Sequence, residues 1–142
     1  MGAKGQAGFR PLMRSAAVKH CLIVDDSAVI RKVARRILDG AGYYVSEASS
    51  GAEGWRLCRN TKPNVLLLDY ILPDMGALEF IEALRRSNAA PLPHILLCTP
   101  YLDVPRIMKA KRAGAAGYVM KPFDKAQLLG AFEHQLSHAK AA

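Results

Sequence analysis

Short apolar runs recur along this chain of 142 residues, and the most constraining one is residues 65–68, Val-Leu-Leu-Leu, which leads straight into Asp69. A run without polar alternation predicts a strand that is covered on both faces. Strands of this kind belong mostly to parallel sheets packed beneath helices. The chain is therefore expected to supply helices for both faces of a sheet.

Strand and helix patterns alternate strictly from end to end. The predicted strands are residues 21–24, 43–48, 65–68, 94–99 and 116–120. Apolar residues at helical spacing predict a first helix that is capped at Asp26 or Ser27 and stops at Gly40 or Gly42. Further helices are predicted over residues 52–60, from 77, over 104–113 and around 128–136. This alternation predicts an α/β fold, a doubly wound parallel sheet with helices on both faces.

The composition fits one folded domain. A hydrophobic fraction of 51% supports a real core. No apolar run approaches the roughly 20 residues of a membrane helix, and the first residues lack the apolar centre of a secretory signal. Cys21, Cys58 and Cys98 are odd in number and far apart, which argues against a disulfide framework or a CxxC zinc pattern. We therefore expect a cytoplasmic protein with no membrane partner.

Positive charge is concentrated at the start of the chain. The formal net charge is +8, and the first 20 residues carry four basic side chains and no acid, which leaves +4 for the rest. Residues 1–18 are predicted to be a disordered basic extension, 19–139 the folded domain and 140–142 a tail. The remaining charge does not by itself indicate nucleic acid. A helix-turn-helix has no room after the closing helix, so no DNA partner is expected.

Polar side chains follow four of the predicted strands. Asp25 and Asp26 come after the first, Asp69 after the third, Thr99 ends the fourth and Lys121 follows the fifth. In a parallel sheet these ends share one edge, where open α/β sheets bind ligands. Three carboxylates repel one another unless cations compensate, and one divalent ion with one ammonium would balance them. Oxygen ligands suit Mg²⁺, and the absence of nearby His or Cys argues against zinc.

Such a site favours chemistry on phosphorus. A carboxylate beside a metal can act as a nucleophile and form an aspartyl phosphate, while metal and ammonium offset the charge on the transferring group. Ordinary roles remain the alternative for three of these residues: Asp26 as a helix cap, Thr99 as a strand end and Lys121 as a surface lysine. Asp25 has no such alternative.

At these residues the sequence resembles the response-regulator receiver domain. The similar segments are "LIVDDS", "LLLDYILPDM", "CT" and "GYVMKPFD", and "DDSAVIRKVARRIL" is especially similar to chemotaxis-type receivers, alphaproteobacterial ones among them. The resemblance covers residues 19 to about 137. It implies a flavodoxin-like (CheY-like) five-stranded sheet with strand order 2-1-3-4-5. It also implies a stand-alone response regulator of a two-component phosphorelay, which is a phosphoacceptor and not a turnover enzyme.

The resemblance further implies a role for each residue of the site. Asp69 would accept a phosphoryl group from a phosphohistidine on a histidine kinase or a histidine phosphotransfer protein. Asp25, Asp26 and Asp69 would hold Mg²⁺ together with the backbone carbonyl of Ile71.

The remaining implied residues respond to the phosphoryl group. Lys121, before a cis bond to Pro122, would contact the phosphate. Thr99 would turn toward it, and Tyr118 would swing inward behind, unless Tyr118 only fills the core. The charge would then favour one of two arrangements of the surface formed by the fourth helix, the fifth strand and the fifth helix, and so control binding of a downstream partner.

Two positions depart from the family pattern. Pro100 stands where the family usually has a small residue whose backbone N–H helps to hold the phosphoryl oxygens, and proline has no N–H. We therefore expect a slower, weaker or differently shaped phosphorylation response. Gly76 stands one residue before the usual glycine, which predicts that the flexible position of the turn has shifted.

Basic residues mark two surfaces. A possible output or anion-binding surface carries Arg106, Lys109, Lys111, Arg112 and Lys125. It is either a solvated face, a site for an acidic protein partner or, as the resemblance implies for some relatives, a site for a cyclic dinucleotide. The first helix carries Arg31, Lys32, Arg35 and Arg36, which border the crevice and suit the acidic surface of a phosphodonor.

Two other classes of protein use a similar architecture. Phosphohydrolases of the haloacid dehalogenase type also form an aspartyl phosphate, but they carry an acid two residues after the nucleophile, and Ile71 occupies that position here. A flavin or dinucleotide module would need a GxGxxG motif after the first strand, and none is present. The phosphoacceptor hypothesis is therefore preferred.

Overall fold

The sheet has five parallel strands in the order β2-β1-β3-β4-β5. The computed structural model describes residues 18–87 and 91–141. The strands are β1 His20–Val24, β2 Tyr44–Ala48, β3 Val65–Asp69, β4 His94–Thr99 and β5 Gly117–Met120. The chain adds strands to one side of β1 first and to the other side from β3 onward. This strand order confirms the predicted doubly wound fold. Each predicted strand is found within one residue of its predicted ends.

Five helices alternate with the strands. They are α1 Ala28–Gly40, α2 Gly51–Thr61, α3 Ala77–Arg86, α4 Val104–Ala113 and α5 Lys125–Ala141. The N-cap of α1 is Ser27, whose hydroxyl oxygen accepts from the Ile30 N–H at 3.2 Å. Asp26 is therefore not the cap, and its carboxylate is left exposed beside the sheet edge. Residue 140 and Ala141 continue α5, so the predicted boundary after residue 139 falls inside this helix.

The alternation of side chains along β1 and β3 divides the core into two layers. Leu22, Val24, Leu66 and Leu68 pack with residues of α2, α3 and α4, such as Phe80. Cys21, Ile23, Val65 and Leu67 pack with residues of α1 and α5 on the opposite face. The central strands are thus covered on both sides, as their unbroken apolar runs require. β3 ends in Asp69, which lies at the polar edge of the sheet.

Expectations from the sequence also concern three further features, the N-terminal extension, membrane-crossing helices and the cysteines. The predicted basic extension lies outside the described residues, apart from Val18. Within the described part of the chain, no helix combines the length and the apolar character needed to cross a bilayer. The three cysteines are free and buried.

Helix α2 approaches β1 very closely at Gly54. A Cβ atom on Gly54 would lie 2.7 Å from Val24 Cγ2 and 2.9 Å from Val24 Cγ1. The branched Val24 side chain is fully buried, so it has little freedom to move away. Gly54 is therefore required by packing, although it lies inside a helix.

We predict that Gly54→Ala lowers the free energy of unfolding by about 1–2 kcal/mol. Overpacking costs about 1–3 kcal/mol, which exceeds the gain of about 1 kcal/mol from replacing a helical glycine with alanine. Urea denaturation measures the change. Gly130→Ala in α5 is the matched control, because a Cβ there meets nothing within 4 Å, and it should raise stability by up to about 1 kcal/mol. Equal gains from both substitutions would contradict the packing argument.

Candidate functional site

Four charged side chains meet at the carboxyl edge of the sheet. Lys121 Nζ lies 2.8 Å from Asp25 Oδ2 and 3.1 Å from Asp69 Oδ1. Asp25 and Asp69 are 2% and 5% exposed, and they stand at the ends of the adjacent strands β1 and β3. Asp26 is exposed, and one oxygen of each carboxylate lies within 4.8 Å of the others. The structure thus brings together the three acids and the lysine that the sequence singled out.

The loop after β5 positions Lys121. Its backbone N–H donates to the Thr99 carbonyl oxygen at 2.8 Å, which extends the pairing of β4 with β5 by one residue. The peptide bond between Lys121 and Pro122 is cis, as predicted. The lysine side chain is only 16% exposed, and it reaches across the end of β4 to the acids of β1 and β3.

The electrostatics of the site follow from burial and charge. Burial raises the pKa of Asp69 to about 6, and the charge of Asp25 acts in the same direction, while Lys121 opposes both. Burial alone would lower the pKa of Lys121, but the attraction of the Asp25 and Asp69 carboxylates outweighs this and raises it. Lys121 is therefore a permanent cation at neutral pH, and Asp69 is ionised at a cost.

The acidic cluster fits a divalent metal ion. Asp25 Oδ2 is buried, and although Lys121 Nζ lies close to it, no described residue gives it a well-aligned hydrogen bond. Three carboxylates and one ammonium leave a formal charge of −2, which one divalent cation would neutralise. All available ligands are oxygens, which is the preference of Mg²⁺.

The loop that follows Asp69 is closed on itself. Ile71 pairs with Gly76 as an isolated antiparallel bridge. The Leu72 N–H donates to the Met75 carbonyl at 3.0 Å, and the Ala77 N–H donates to the Tyr70 carbonyl at 3.0 Å. Neither bond uses the Ile71 carbonyl. Gly76 has φ −87°, so the predicted shift of a flexible glycine to this position is wrong.

Asp74 ties this loop to α2, and sequence reasoning gave it no role. Its Oδ1 accepts from the Gly51 N–H at 2.8 Å, and its Oδ2 accepts from the Ala52 N–H at 2.9 Å. These bonds at the helix N-terminus lower the pKa of the Asp74 carboxyl. Gly51 also leaves room for Met75, because a Cβ there would lie 2.5 Å from Met75 Cγ. Only the neighbouring Pro73 and Asp69 hinted that this acid belongs to an ordered loop.

Thr99 and Tyr118, the predicted switch residues, have different surroundings. Thr99 is 2% exposed, and its hydroxyl donates to the Tyr101 carbonyl at 3.2 Å and accepts from the Tyr101 N–H at 3.1 Å. This closed turn encircles Pro100. Tyr118 is 40% exposed on β5, so it does not fill the core in this structure. The hydroxyl of Thr99 is thus committed to its own loop.

The two basic surfaces are less uniform than the sequence suggests. All five residues predicted for the output surface, Arg106, Lys109, Lys111, Arg112 and Lys125, are exposed. Arg106 is paired with Asp103 at 3.3 Å. On α1, Arg31 and Arg35 both bind Glu47, so within the described residues Lys32 and Arg36 are the exposed cations of this helix without a salt bridge. Two of the four basic residues of α1 are therefore already paired with an acid of this chain.

Comparison with known proteins identifies the family. Residues 21–133 match the response regulator receiver domain, and the chain belongs to this family. The chemotaxis protein CheY of Halobacterium salinarum is 30% identical over 119 residues, which cover 84% of this chain and 98% of that protein.

Solved structures agree with this assignment. The chemotaxis response regulator CheY4 of Vibrio cholerae has a TM-score of 0.78 at 30% identity and covers 83% of this chain and 98% of its own. A CheY-like receiver domain protein of Methanospirillum hungatei has a TM-score of 0.78 at 31% identity, covering 87% and 98%. Receiver domains act in two-component signalling as phosphoacceptors, and an aspartyl phosphate and Mg²⁺ are typical of them.

We predict that Asp69→Asn stabilises the metal-free protein in a pH-dependent way. The folded protein holds the Asp69 proton to a higher pH than the unfolded chain does. The wild type therefore loses stability as the pH rises from about 4 to 6, and the amide variant does not. Its advantage should reach about 1–3 kcal/mol above pH 6, because one pKa unit corresponds to about 1.4 kcal/mol.

Chemical denaturation in EDTA at several pH values measures this difference. Asp39→Asn is the control, because that carboxylate lies at the exposed end of α1, 3.6 Å from Arg35, and should give a change below about 0.5 kcal/mol. A stability advantage of Asp69→Asn that is the same at pH 4 and pH 7 would show that the burial of this charge is not the cause.

Proposed function

We propose that this protein carries a signal in a two-component phosphorelay, with Asp69 as the acceptor of a phosphoryl group from a phosphohistidine. The cluster of Asp25, Asp26 and Asp69, with Lys121 Nζ against Asp25 and Asp69, carries this proposal. In the transfer, the N–P bond of the donor breaks, a bond forms between phosphorus and a carboxylate oxygen of Asp69, and the released imidazole takes up a proton. Asp69 suits this role because it is ionised at neutral pH yet poorly solvated.

Asp25, Asp26, Asp69 and the Ile71 carbonyl are the proposed ligands of Mg²⁺. When bound, the ion would offset negative charge on the phosphoryl oxygens and help to align donor and acceptor. Lys121 would supply the second positive charge. Its ammonium already rests between Asp25 and Asp69, so it needs only a small movement to bind an oxygen of the transferred group.

Thr99 and Tyr118 are proposed to respond to phosphorylation. To reach a phosphoryl oxygen, the Thr99 hydroxyl must give up its two hydrogen bonds to Tyr101. The vacated space beside β4 would then favour an inward position of Tyr118, which is now exposed. Such a change shifts the population between two arrangements of the surface formed by α4, β5 and α5.

This output surface suits an acidic protein segment with apolar side chains. Beside its lysines and arginines it exposes Tyr101, Leu102, Val104 and Met108, which are 69%, 60%, 54% and 43% exposed. A mixed basic and apolar surface favours a peptide or protein over a purely anionic ligand. A cyclic dinucleotide on the same arginines remains the alternative, and its chemistry would use Arg112 more than the partly neutralised Arg106.

The phosphodonor is proposed to be a histidine kinase or a histidine phosphotransfer protein that docks on α1. Val29 and Val33 are 70% and 41% exposed on this helix, and Lys32 and Arg36 flank them. An acidic helical surface with apolar residues would complement this face. Three free, buried cysteines and the kinship with chemotaxis proteins support a cytoplasmic location.

We predict that acetyl phosphate with Mg²⁺ adds one phosphoryl group to the protein, and that Asp69→Asn abolishes the addition. The amide cannot act as the nucleophile. Intact-mass measurement with and without EDTA checks both requirements. Asp39→Asn is the matched control, and it should be phosphorylated like the wild type. A mass gain that persists in Asp69→Asn would remove Asp69 from the proposed role.

We predict that Pro100→Ala raises the affinity for the phosphoryl mimic beryllium trifluoride by about tenfold. Alanine supplies a backbone N–H where proline has none, and a hydrogen bond to a charged group contributes about 1.5–3 kcal/mol. Calorimetric titration with Mg²⁺ present measures the affinity. Pro105→Ala is the control, because that proline lies in the exposed first turn of α4. An unchanged affinity of Pro100→Ala would mean that this amide position contributes nothing.

A further inference from the structure

Arg31 links the edge strand β2 to the turn that carries two of the acids. Its Nη1 donates to the backbone carbonyl oxygen of Asp25 at 2.8 Å, and its Nε donates to Glu47 Oε1 at 3.0 Å. The Arg31 side chain is only 19% exposed, so water competes weakly for these bonds. One guanidinium group thus joins a carboxylate on β2 to the peptide group between Asp25 and Asp26.

That peptide group decides where Asp26 lies. The Asp25 carbonyl and the Asp26 N–H share one plane, so a fixed carbonyl also fixes the direction in which the chain enters Asp26. Other bonds hold Asp25 itself: its N–H donates to the Ala48 carbonyl at 3.1 Å, and its Oδ1 accepts from the Ser27 N–H at 2.9 Å. The exposed Asp26 carboxylate has no comparable support among the described residues, so the Arg31 contact is its nearest constraint.

Glu47 makes the arginine compatible with a cation site. A positive charge beside the acids would repel a metal ion, but Glu47 lies against Arg31 and offsets that charge. Glu47 Oε2 also accepts from Arg35 Nη1 at 2.7 Å, and Arg35 Nη2 donates to the Val45 carbonyl at 3.3 Å. Arg35 therefore holds Glu47 on β2 but does not touch the acid turn.

We propose that Arg31 is a positioning residue for the Asp25–Asp26 pair, and that its bridge to Glu47 sets the affinity of the acidic cluster for Mg²⁺. This proposal rests on the proposed function, because it requires that the cluster binds the ion. Arginine suits this role because its planar group donates from two nitrogens at once, one to each acceptor, whereas a lysine ammonium is a single donor atom on a flexible stem. Outer groups that orient metal ligands commonly affect affinity tenfold or more.

The test compares Arg31→Lys with Arg35→Lys, which both preserve charge and both contact Glu47. Calorimetric titration of the unphosphorylated full chain with MgCl₂ gives the affinity. We expect Arg31→Lys to weaken Mg²⁺ binding by about tenfold and Arg35→Lys to change it by less than twofold. In metal-free protein, the Ser27 amide should exchange with solvent at least several times faster in Arg31→Lys alone.

The outcomes separate this proposal from the proposed function. If Arg31→Lys binds Mg²⁺ within twofold of the wild type, or if both variants weaken Mg²⁺ binding equally, Arg31 does not position the acids. The proposal that Asp69 accepts a phosphoryl group would stand in that case. A Ser27 amide that exchanges at the wild-type rate in Arg31→Lys would also overturn the proposal. If the wild type itself binds no Mg²⁺, both the positioning role and the proposed function are wrong.

Discussion

The position of one ammonium group between two buried carboxylates is the constraint on which the site depends. Lys121 holds Asp25 and Asp69 together across three strands, and without it two neighbouring negative charges would lie in a poorly solvated crevice. The balance is incomplete, since the pKa of Asp69 stays raised to about 6 despite the lysine. One divalent cation would offset this residual excess of negative charge.

The fold supplies this arrangement with little additional structure. Parallel strands end at one edge, so β1, β3, β4 and the loop after β5 deliver their polar residues to the same place. Close packing of α2 on β1 at Gly54 and the bonds from Asp74 to the start of α2 then fix the loop that follows Asp69. The core is thus the scaffold that holds charges where they would not gather on their own.

The sequence predicts most of this, because apolar periodicity reports strands, helices and their ends directly. It places Asp25, Asp69, Thr99 and Lys121 at one edge through the parallel topology alone. It leaves the N-cap of α1 open between Asp26 and Ser27, because both residue types favour that position, and the structure assigns the cap to Ser27.

Contacts between distant segments escape such reasoning. Asp74 binds a helix that begins 23 residues earlier, and Arg31 bridges to Glu47 on the neighbouring strand, 16 residues away. No local pattern encodes these partners.

The closed turn from Thr99 to Tyr101 is also invisible in the sequence, and it has a consequence for background signalling. Two hydrogen bonds of about 1 kcal/mol each hold the hydroxyl at rest, so in the proposed switch its spontaneous excursions toward the acidic site would be about thirtyfold rarer than with a free side chain. The proposed switch would thereby stay in its resting arrangement until a phosphoryl group competes with the Tyr101 backbone for the Thr99 hydroxyl.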